Sequence, residues 1–402
     1  MLRFLTAGES HGKALVTIVE GFPSNMKVEP DFINLQLKRR QSGYGRGLRM
    51  KIESDKVEIL SGIRFKKTIG SPITLKIENN DWQNWQERMS PEIANEIDPI
   101  TIPRPGHADL TGTLKYNFND IRNSIERSSA RETAARVAAC SIAKMFLQNF
   151  GIHVGSFVES IGGVYPKKSF LENLLLNKID KNFNAQELAY QADRSDVRVL
   201  EKELEVKIIN KIKKAKKLGD TLGGTIVVIA TGVPAGLGSF IQYDKRLDTD
   251  LASHIMSINA IKGVEVGSGF SSANIFGSES HDEITFTDGN FSRKTNRSGG
   301  VEGGISTGLP IIVRAAMKPI ATLMSPINTV DMQTLQPIQA RRERSDFVAV
   351  PACAVIAESM LAWVIAKHFL EKFGGDSIEE TRQNYSQFMK LNQKRTLRNF
   401  KR

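Results

Sequence analysis

Hydrophobic positions recur in two matching parts of the chain. Residues 15–26 and 226–238 both run from β-branched side chains into Gly-x-Pro and a small polar turn, a pattern typical of a buried strand that ends in a turn. A second Gly-x-Pro leads into an apolar stretch at Gly70 and again at Gly308. The recurrence predicts two similar halves related by duplication, and chance repetition of strand and turn chemistry is an equally weighted alternative.

Helical spacing follows in the segments between these strands. Residues 31–40 are apolar on one side. Ser129 and Glu132 form a capping box ahead of apolar residues at helical spacing, so a helix with a buried face is expected to begin there. Residues 185–218 alternate acidic and basic charges, which predicts exposed helix that ends at Gly219.

The most hydrophobic stretch, residues 348–366, is about as long as a membrane span. Pro351, Glu358 and Ser359 interrupt it, and proline is favoured in the first turn of a helix. We therefore expect a buried helix that begins near Pro351 rather than a membrane segment.

Composition narrows the class of protein. The 402 residues are 40% hydrophobic and 25% charged, which fits a globular protein and excludes extensive disorder. The 55 basic against 44 acidic residues favour an anionic partner, which could be nucleic acid, a phosphorylated metabolite or an anionic membrane surface. Cys140 and Cys353 are the two cysteines, so a disulfide framework and a cysteine metal cluster are excluded. The N-terminus lacks the pattern of a signal peptide, and a reducing, cytoplasmic location is expected.

Arginine is concentrated in a glycine-rich stretch without acidic residues, where Arg40, Arg46 and Arg49 surround QSGYGRGLRM. Such a group of cations favours a phosphate or carboxylate site over a flexible basic loop. Arg127, Ser128, Ser129 and Arg131 are predicted to lie at a helix N-terminus, where backbone N–H groups attract anions. A helix cap alone would explain the serines and leave the arginines unexplained.

Two histidines and one aspartate are candidates for proton transfer. His11 and His107 each lie among turn-forming residues, so each could act as a general acid from a loop, or serve a structural role. Asp346 follows the arginines of RRERSD, where it could form a structural salt bridge or stay ionised beside a reacting centre. These alternatives stay open from the residues alone.

Several familiar motifs are absent or misplaced. GESHG matches G-x-S-x-G, but it lies too near the N-terminus and runs into a β-branched stretch, which argues against a serine hydrolase. The glycines of 299–304 precede a strand, so a Rossmann dinucleotide site is not supported. No HExxH, Walker A or EF-hand pattern occurs, and no metal site is predicted.

Eight motifs occur in order across nearly the whole chain. They are GESHG, RRQSGYGRGLRM, RPGHAD, RSSARET, INAIKGVEVGSGF, GGISTGLPI, MKPIAT and RRERSD. Together they closely resemble the chorismate synthase family. The resemblance implies an α+β fold, a β-α-β sandwich with helices layered between antiparallel sheets and two similar halves. It also implies one catalytic domain over residues 1–385 and a basic, flexible tail over residues 386–402.

The resemblance implies a lyase that ends the shikimate pathway of aromatic amino acid biosynthesis. The reaction is a 1,4-anti elimination of phosphate from 5-enolpyruvylshikimate 3-phosphate, which gives chorismate and uses reduced FMN as an electron donor that is regenerated. By the same resemblance His11 protonates the departing phosphate, His107 protonates or hydrogen-bonds the flavin, and Asp346 assists proton removal through the flavin N5.

The family pattern also assigns binding residues. Substrate or NADPH is expected at Arg40, Arg46, Arg49 and Arg131. The residues expected at FMN are Arg127, Ser128, Ser129, Asn259, Ala260, Gly303, Lys318, Pro319, Ile320, Ala321, Thr322 and Arg344. NADPH would supply reducing equivalents, with or without an external flavin reductase, and a homotetramer without nucleic-acid or membrane partners is expected.

The chain departs from the family at Phe118 and Phe240, where histidines are common, so the pocket near them is expected to differ. Two other functions are alternatives. A basic RNA-binding protein would use residues 207–217 and the C-terminal tail, with steeply salt-dependent binding. A flavin oxidoreductase would consume NADPH stoichiometrically and release no phosphate.

Overall fold

The protein is described by a computed structural model that covers residues 2–47, 53–92, 97–180, 182–287, 290–342 and 346–399. The strands are β1 (Arg3–Ala7), β2 (Ala14–Glu20), β3 (Val57–Ile59), β4 (Ile63–Arg64), β5 (Lys67–Thr68), β6 (Ile73–Glu78), β7 (His153–Ile161), β8 (Gly224–Thr231), β9 (Ile261–Val266), β10 (Ile284–Thr287), β11 (Asn290–Arg293), β12 (Val301–Glu302), β13 (Ile305–Ser306), β14 (Ile311–Met317), β15 (Asn328–Val330) and β16 (Pro337–Gln339).

The helices are α1 (Pro30–Gln41), α2 (Gln86–Met89), α3 (Asp109–Tyr116), α4 (Arg122–Ser128), α5 (Thr133–Gln148), α6 (Phe170–Leu175), α7 (Ala185–Ala192), α8 (Lys202–Leu218), α9 (Leu247–Met256), α10 (Gly277–Ser280), α11 (Val350–Phe373) and α12 (Ile378–Asn399). Short 3-10 turns lie at Asn80–Asn84, Ala130–Glu132, Tyr243–Lys245 and Gly269–Asn274.

Two four-stranded antiparallel sheets form the outer layers of the core, in the orders β1-β2-β6-β3 and β7-β8-β14-β9. In the first sheet, side chains alternate, so Leu15 and Val19 of β2 are buried while Ile18 is exposed. In the second sheet, Ile226–Ala230 of β8 is buried on both faces, because α11 covers one face and an apolar cluster with Leu174 and Leu188 covers the other.

Helices fill the space between the sheets. α5 packs on β2 and β6 of the first sheet, α11 packs on β7 and β8 of the second, and the two helices pack on each other. Their buried side chains join those of both sheets in one hydrophobic cluster. The predicted β-α-β sandwich and α+β class are confirmed.

The long apolar helix is the centre of this core. α11 spans Val350–Phe373, is long and apolar enough to cross a membrane, and is 94% buried over its most apolar window. Pro351 lies in its first turn, as the sequence predicted. The expectation of a buried core helix is confirmed.

The two halves share one order of elements. The first half runs β1, β2, α1, β3, β6 and α5, and the second runs β7, β8, α9, β9, β14 and α11. The sheet orders correspond strand for strand. The glycines that ended the matching sequence patterns also agree, because Gly21 and Gly232 both have positive φ, as do Gly70 and Gly308. The prediction of two similar halves is confirmed.

Two local predictions need correction, and a third stays untested. The predicted helix over residues 185–218 is two helices, α7 and α8, and α8 buries one apolar face before it ends at Gly219 in the left-handed conformation. Ser129 caps the 3-10 turn Ala130–Glu132 by accepting from the backbone N–H of Arg131, and α5 begins only at Thr133. α12 crosses the boundary expected at residue 385 without a break, and the flexibility of residues 386–402 stays a prediction.

A candidate active site at the ends of the two sheets

A cleft of about 510 Å3 opens where loops from both halves converge on the N-terminus of α11. Its apolar lining includes Ile125, Ile258, Ile320 and Ile356. The two candidate histidines and several arginines line it as well. An apolar cavity of this size with a few convergent polar groups is the usual form of a ligand site.

Most of the residues predicted from the sequence meet in this cleft. Those that line it are His11, Arg40, Arg46, His107, Ser128, Ser129, Arg131, Asn259, Ala260, Lys318, Pro319, Ile320, Ala321, Thr322 and Asp346. Arg127 and Gly303 do not line it. Arg49 and Arg344 lie outside the described residues.

His11 is held by a buried carboxylate from another part of the chain. Its Nδ1 lies 2.9 Å from Oε1 of Glu126, and its backbone N–H donates to Oε2 at 2.7 Å. Burial raises the pKa of Glu126, but hydrogen bonds from His11 outweigh it and leave the pKa below its usual value. The indole of Trp85 stacks on the imidazole with 3.9 Å between ring centroids. The ring is therefore fixed with Nε2 as its remaining nitrogen.

His107 is held by a carboxylate two residues away. Its Nδ1 lies 2.6 Å from Oδ1 of Asp109, whose other oxygen accepts from Arg104 Nε at 2.8 Å. Burial raises the pKa of Asp109, but the hydrogen bonds of His107 and Arg104 outweigh it and hold the pKa far below its usual range. Asp109 stays a carboxylate, and Arg104 links it to Thr322 on the opposite wall at 3.3 Å.

Arg40 and Arg131 share one buried carboxylate, Asp55. Arg40 Nη1 lies 3.3 Å from Asp55 Oδ2, and its Nε donates to Thr133 at 3.0 Å. Arg131 pairs with the other oxygen of Asp55 and donates to Asn79 at 2.9 Å. Burial lowers the pKa of Arg40 to about 10, with Asp55 opposing that shift.

Asp346 forms an ion pair at the cleft. Its Oδ2 lies 2.9 Å from Nη1 of Arg46, and its Oδ1 accepts from the backbone N–H of Gly47. Both side chains line the cleft, so the structural and the reaction-centre interpretations of Asp346 are compatible. Arg39, the neighbour of Arg40, points away and pairs with Glu358 in the core at 2.7 Å.

The stretch of sequence without acidic residues suggested arginines without counter-charges, and that inference was wrong. Asp55, Glu358 and Asp346 lie beyond the acid-free stretch of sequence and fold back onto it. The prediction about the helix N-terminus was also wrong in detail, because Arg127 and Ser128 end α4 instead of beginning a helix. Their roles in ligand binding stay predictions.

The wall formed by residues 258–262 offers an unused acceptor. Asn259 Nδ2 donates to the carbonyl of Ser128 at 3.0 Å, while its buried Oδ1 has no partner among the described residues. Ala260 adopts φ 67°, a left-handed conformation unusual for alanine, and its carbonyl accepts from the N–H of Lys318 at 2.9 Å. Strain beside an unpaired oxygen is typical of a binding site.

Four predicted or noted residues lie elsewhere. The guanidinium of Arg127 donates to the carbonyls of Thr6 and Gly8 on the outer surface. Gly303 forms the tip of the β12–β13 hairpin. Phe118 stacks on Tyr116, and Phe240 is exposed, so neither departure from the family pattern lies in the cleft.

Sequence reasoning missed the groups that orient the histidines. Asp109 and Arg104 belong to the same RPGHAD motif as His107, and an acid two residues from a loop histidine is a signal that could have been used. Glu126 directly precedes Arg127 and the RSSARET motif, but its distance from His11 in sequence gives no sign of their contact. Trp85 gives no signal in the sequence, because its contact with His11 exists only in the tertiary structure.

Comparisons with known proteins agree across the chain. A protein-family model described as chorismate synthase matches residues 2–370. A protein named chorismate synthase from Chloroherpeton thalassium is 54% identical over 394 residues. The alignment covers 96% of this chain and 99% of that protein. Another of that name, from Geobacter metallireducens, is 50% identical over 399 residues, covering 97% and 98%.

A solved structure agrees as well. A chain described as the crystal structure of chorismate synthase superposes with a TM-score of 0.79 and 41% sequence identity. The match covers 98% of each chain.

Proposed function

Because the chain belongs to the chorismate synthase family, we propose that the cleft between its two halves is where it converts 5-enolpyruvylshikimate 3-phosphate to chorismate and phosphate. The conversion itself is the family's carbon–oxygen lyase reaction, the last step of the shikimate pathway. The observation that carries the assignment to this cleft is that two carboxylate-bound histidines face one cavity lined by arginines.

His11 acts as the acid for the leaving phosphate. Glu126 holds Nδ1, so the proton to be given away resides on Nε2. Protonating the phosphate oxygen lowers the charge that departs with it, and the carboxylate of Glu126 stabilises the imidazole in the orientation required. Arg46, Arg49 and Arg131 bind the anionic groups of the substrate. The role of Arg131 is partly structural, since Asp55 and Asn79 occupy its guanidinium.

The cleft fits reduced FMN. Its apolar lining suits a flat aromatic ring, and the unpaired Oδ1 of Asn259 can accept from a ring N–H. Lys318 also lines the cleft, where its Nζ donates to the carbonyl of Gly106. Ser128, Ser129, Asn259, Ala260 and residues 318–322 would hold it. When bound, reduced FMN supplies an electron that assists the breaking of the C–O bond and is returned at the end.

His107 and Asp346 complete the proposal. His107 lines the cleft, where Asp109 fixes its Nδ1 and Arg104 Nη2 lies 3.4 Å from its Nε2, and it protonates or hydrogen-bonds the flavin. Asp346, kept in place by Arg46 and Gly47, assists the removal of the proton that the substrate loses. Arg127, Gly303 and Arg344 belong to the FMN set by family resemblance alone.

The proposal has three further parts. NADPH binds at Arg40 and Arg46 and supplies the reducing equivalents, the protein forms a homotetramer, and it is located in the cytoplasm.

An anaerobic assay tests the proposed reaction. The protein is incubated with substrate and chemically reduced FMN, and the release of phosphate and of chorismate is followed together. Equal release only with reduced FMN supports the proposal, and oxidised FMN is the control. A repeat with NADPH and oxidised FMN separates self-reduction from dependence on an external flavin reductase.

A titration tests the cofactor wall without turnover. Asn259→Ala is expected to weaken FMN binding several-fold, because the unpaired Oδ1 is removed. Asn182→Ala, in an exposed loop, is the matched control. Equal affinity in both variants would remove Asn259 from the FMN site.

A further inference from the structure

Four side chains near the cleft form a closed ring of contacts. His11 binds Glu126, Glu126 Oε1 lies 3.2 Å from Arg122 Nη1, the Arg122 guanidinium lies 4.9 Å from the centroid of Trp85, and Trp85 stacks on His11. Each member therefore touches two others. The family resemblance assigns a role to His11 alone.

The stack between Trp85 and His11 has the geometry of a functional contact. The rings are inclined by only 26°, so the indole covers one face of the imidazole. An indole face attracts a cation through its quadrupole, and this attraction acts on imidazolium and not on neutral imidazole. The contact therefore favours the charged form that gives up a proton.

Trp85 is itself held in place. Its indole N–H donates to Oδ2 of Asp81 at 3.0 Å. The segment before it is anchored through Asn79, whose side-chain amide donates to the carbonyls of Glu9 and Gly12 on either side of His11. The segment from Asn79 to Trp85 therefore both binds the loop that carries His11 and places the indole on the His11 imidazole.

We propose that Trp85 is a positioning residue for His11, fixing the imidazole plane and favouring its protonated form, and that Arg122 tempers this effect by competing for the Glu126 carboxylate. The charged groups near the unit are Glu126 and Arg122 from α4, Asp81 and Arg88 from the tryptophan segment, Glu9 from the loop of His11 itself, and Arg341, whose charge acts on that of Arg122. The proposal rests on the proposed acid role of His11.

Tryptophan emission tests the contact independently of turnover. A protonated imidazole against an indole quenches its fluorescence, so emission of the wild type is expected to rise as the pH increases from 5 to 9. His11→Asn should abolish this pH-dependent component. Its persistence in His11→Asn would overturn the proposal. Trp363 is left in place, because it is buried in the core.

Kinetics test the consequence. Trp85→Leu is expected to lower kcat about 5- to 30-fold with KM within about threefold, and to move the alkaline limb of the pH profile, where the acid loses its proton, to lower pH. Trp85→Phe keeps an aromatic face and should recover most of kcat. Trp82→Leu, three residues earlier and without a ring contact to His11 in the described structure, is the matched control.

Replacing Arg122 should change the protonation of His11 in the opposite direction to replacing Trp85. Arg122→Gln leaves Glu126 to His11 alone, so the midpoint of the fluorescence titration should move to higher pH. A shift to lower pH, or an unchanged pH profile in Trp85→Leu, would overturn the proposal. If His11→Asn keeps full turnover while the pH-dependent quenching disappears, the contact between Trp85 and His11 is supported and the acid role of His11 is contradicted.

Discussion

His11 and His107 face the same cleft and each binds a buried carboxylate through Nδ1, yet the two pairs are built differently. His107 and Asp109 are two residues apart, and Arg104 in the same motif binds the carboxylate as well. His11 and Glu126 are 115 residues apart and meet only when the β1–β2 loop packs on α4. One pair is local and the other is tertiary.

The difference shows how one cleft can hold two histidines in different settings. The Asp109 carboxylate is shared between His107 and a guanidinium that binds both oxygens, so His107 lies in a rigid, cation-rich corner. The Glu126 carboxylate serves His11 at Nδ1 and at its backbone N–H, Arg122 contacts only one of its oxygens, and the ring is covered by an indole. The second setting favours a histidine that must gain and release a proton.

Removing either imidazole should have the largest effect. His11→Ala and His107→Ala are each expected to lower kcat about 10²- to 10⁴-fold, because each removes a group that holds or moves a proton in the reaction. KM for the substrate should change far less. Steady-state assays under anaerobic conditions with reduced FMN measure both constants. Unchanged turnover in either variant would remove that histidine from the mechanism.

Breaking the tertiary pair should have the next largest effect. Glu126→Gln is expected to lower kcat about 10- to 100-fold and to reduce the free energy of unfolding at pH 7 by about 1–3 kcal/mol, since a buried partner of His11 loses its charge. Because the folded pKa of Glu126 is lowered, its stabilisation is present above the unfolded value near 4.5 and is lost as the pH falls through the folded value.

The stability gap between Glu126→Gln and the wild type should therefore narrow in strongly acidic solution. Chemical unfolding at several pH values measures it. Glu132→Gln, whose carboxylate pairs with Arg136 away from the cleft, is the matched control and should keep kcat. If the difference in free energy of unfolding between the wild type and Glu126→Gln grew on acidification, the lowered pKa of Glu126 in the folded protein would be contradicted.

Weakening the support of the His107–Asp109 pair should lower kcat by a smaller factor. Arg104→Lys keeps the positive charge but cannot reproduce the two-point contact with Asp109, so we expect kcat to fall about 3- to 10-fold. Circular dichroism should show an unchanged fold. A loss as large as that of His107→Ala would mean that Arg104 contacts the reactants itself.

Replacing a phenylalanine that departs from the family pattern should have the smallest effect. Phe240→His restores the family's common residue, but Phe240 is exposed and away from the cleft, so kcat and KM should stay within about twofold. A larger change measured on purified protein would indicate that this surface joins the site in an assembled oligomer.

The fold was accessible from the sequence because its signals are local. Gly-x-Pro after β-branched runs marked β2 and β8, and proline at the head of an apolar stretch marked α11. The motifs that resemble the family also placed both histidines and most of the cleft. These patterns need only neighbouring residues to be read.

The balance of charge in the site was not accessible. Asp55 and Glu358 neutralise Arg40 and Arg39, which have no acid within five residues of them in sequence. Glu358 in an apolar stretch signals a buried acid that needs a cation, but the sequence does not identify Arg39 as that cation. Trp85 likewise acquires its role only through the fold. Long-range pairing of buried charges depends on tertiary structure, which no short window of sequence contains.

The pairing of distant segments in the cleft also bears on how the protein reaches its active form. Lining residues extend from Ser10 to Ile356, and the His11–Glu126 contact alone joins positions 115 apart. Contacts of such sequence separation form late, because the chain must first lose the entropy of closing the loops between them. Catalytic competence should therefore return after most secondary structure during refolding, so that regain of activity lags behind regain of helix.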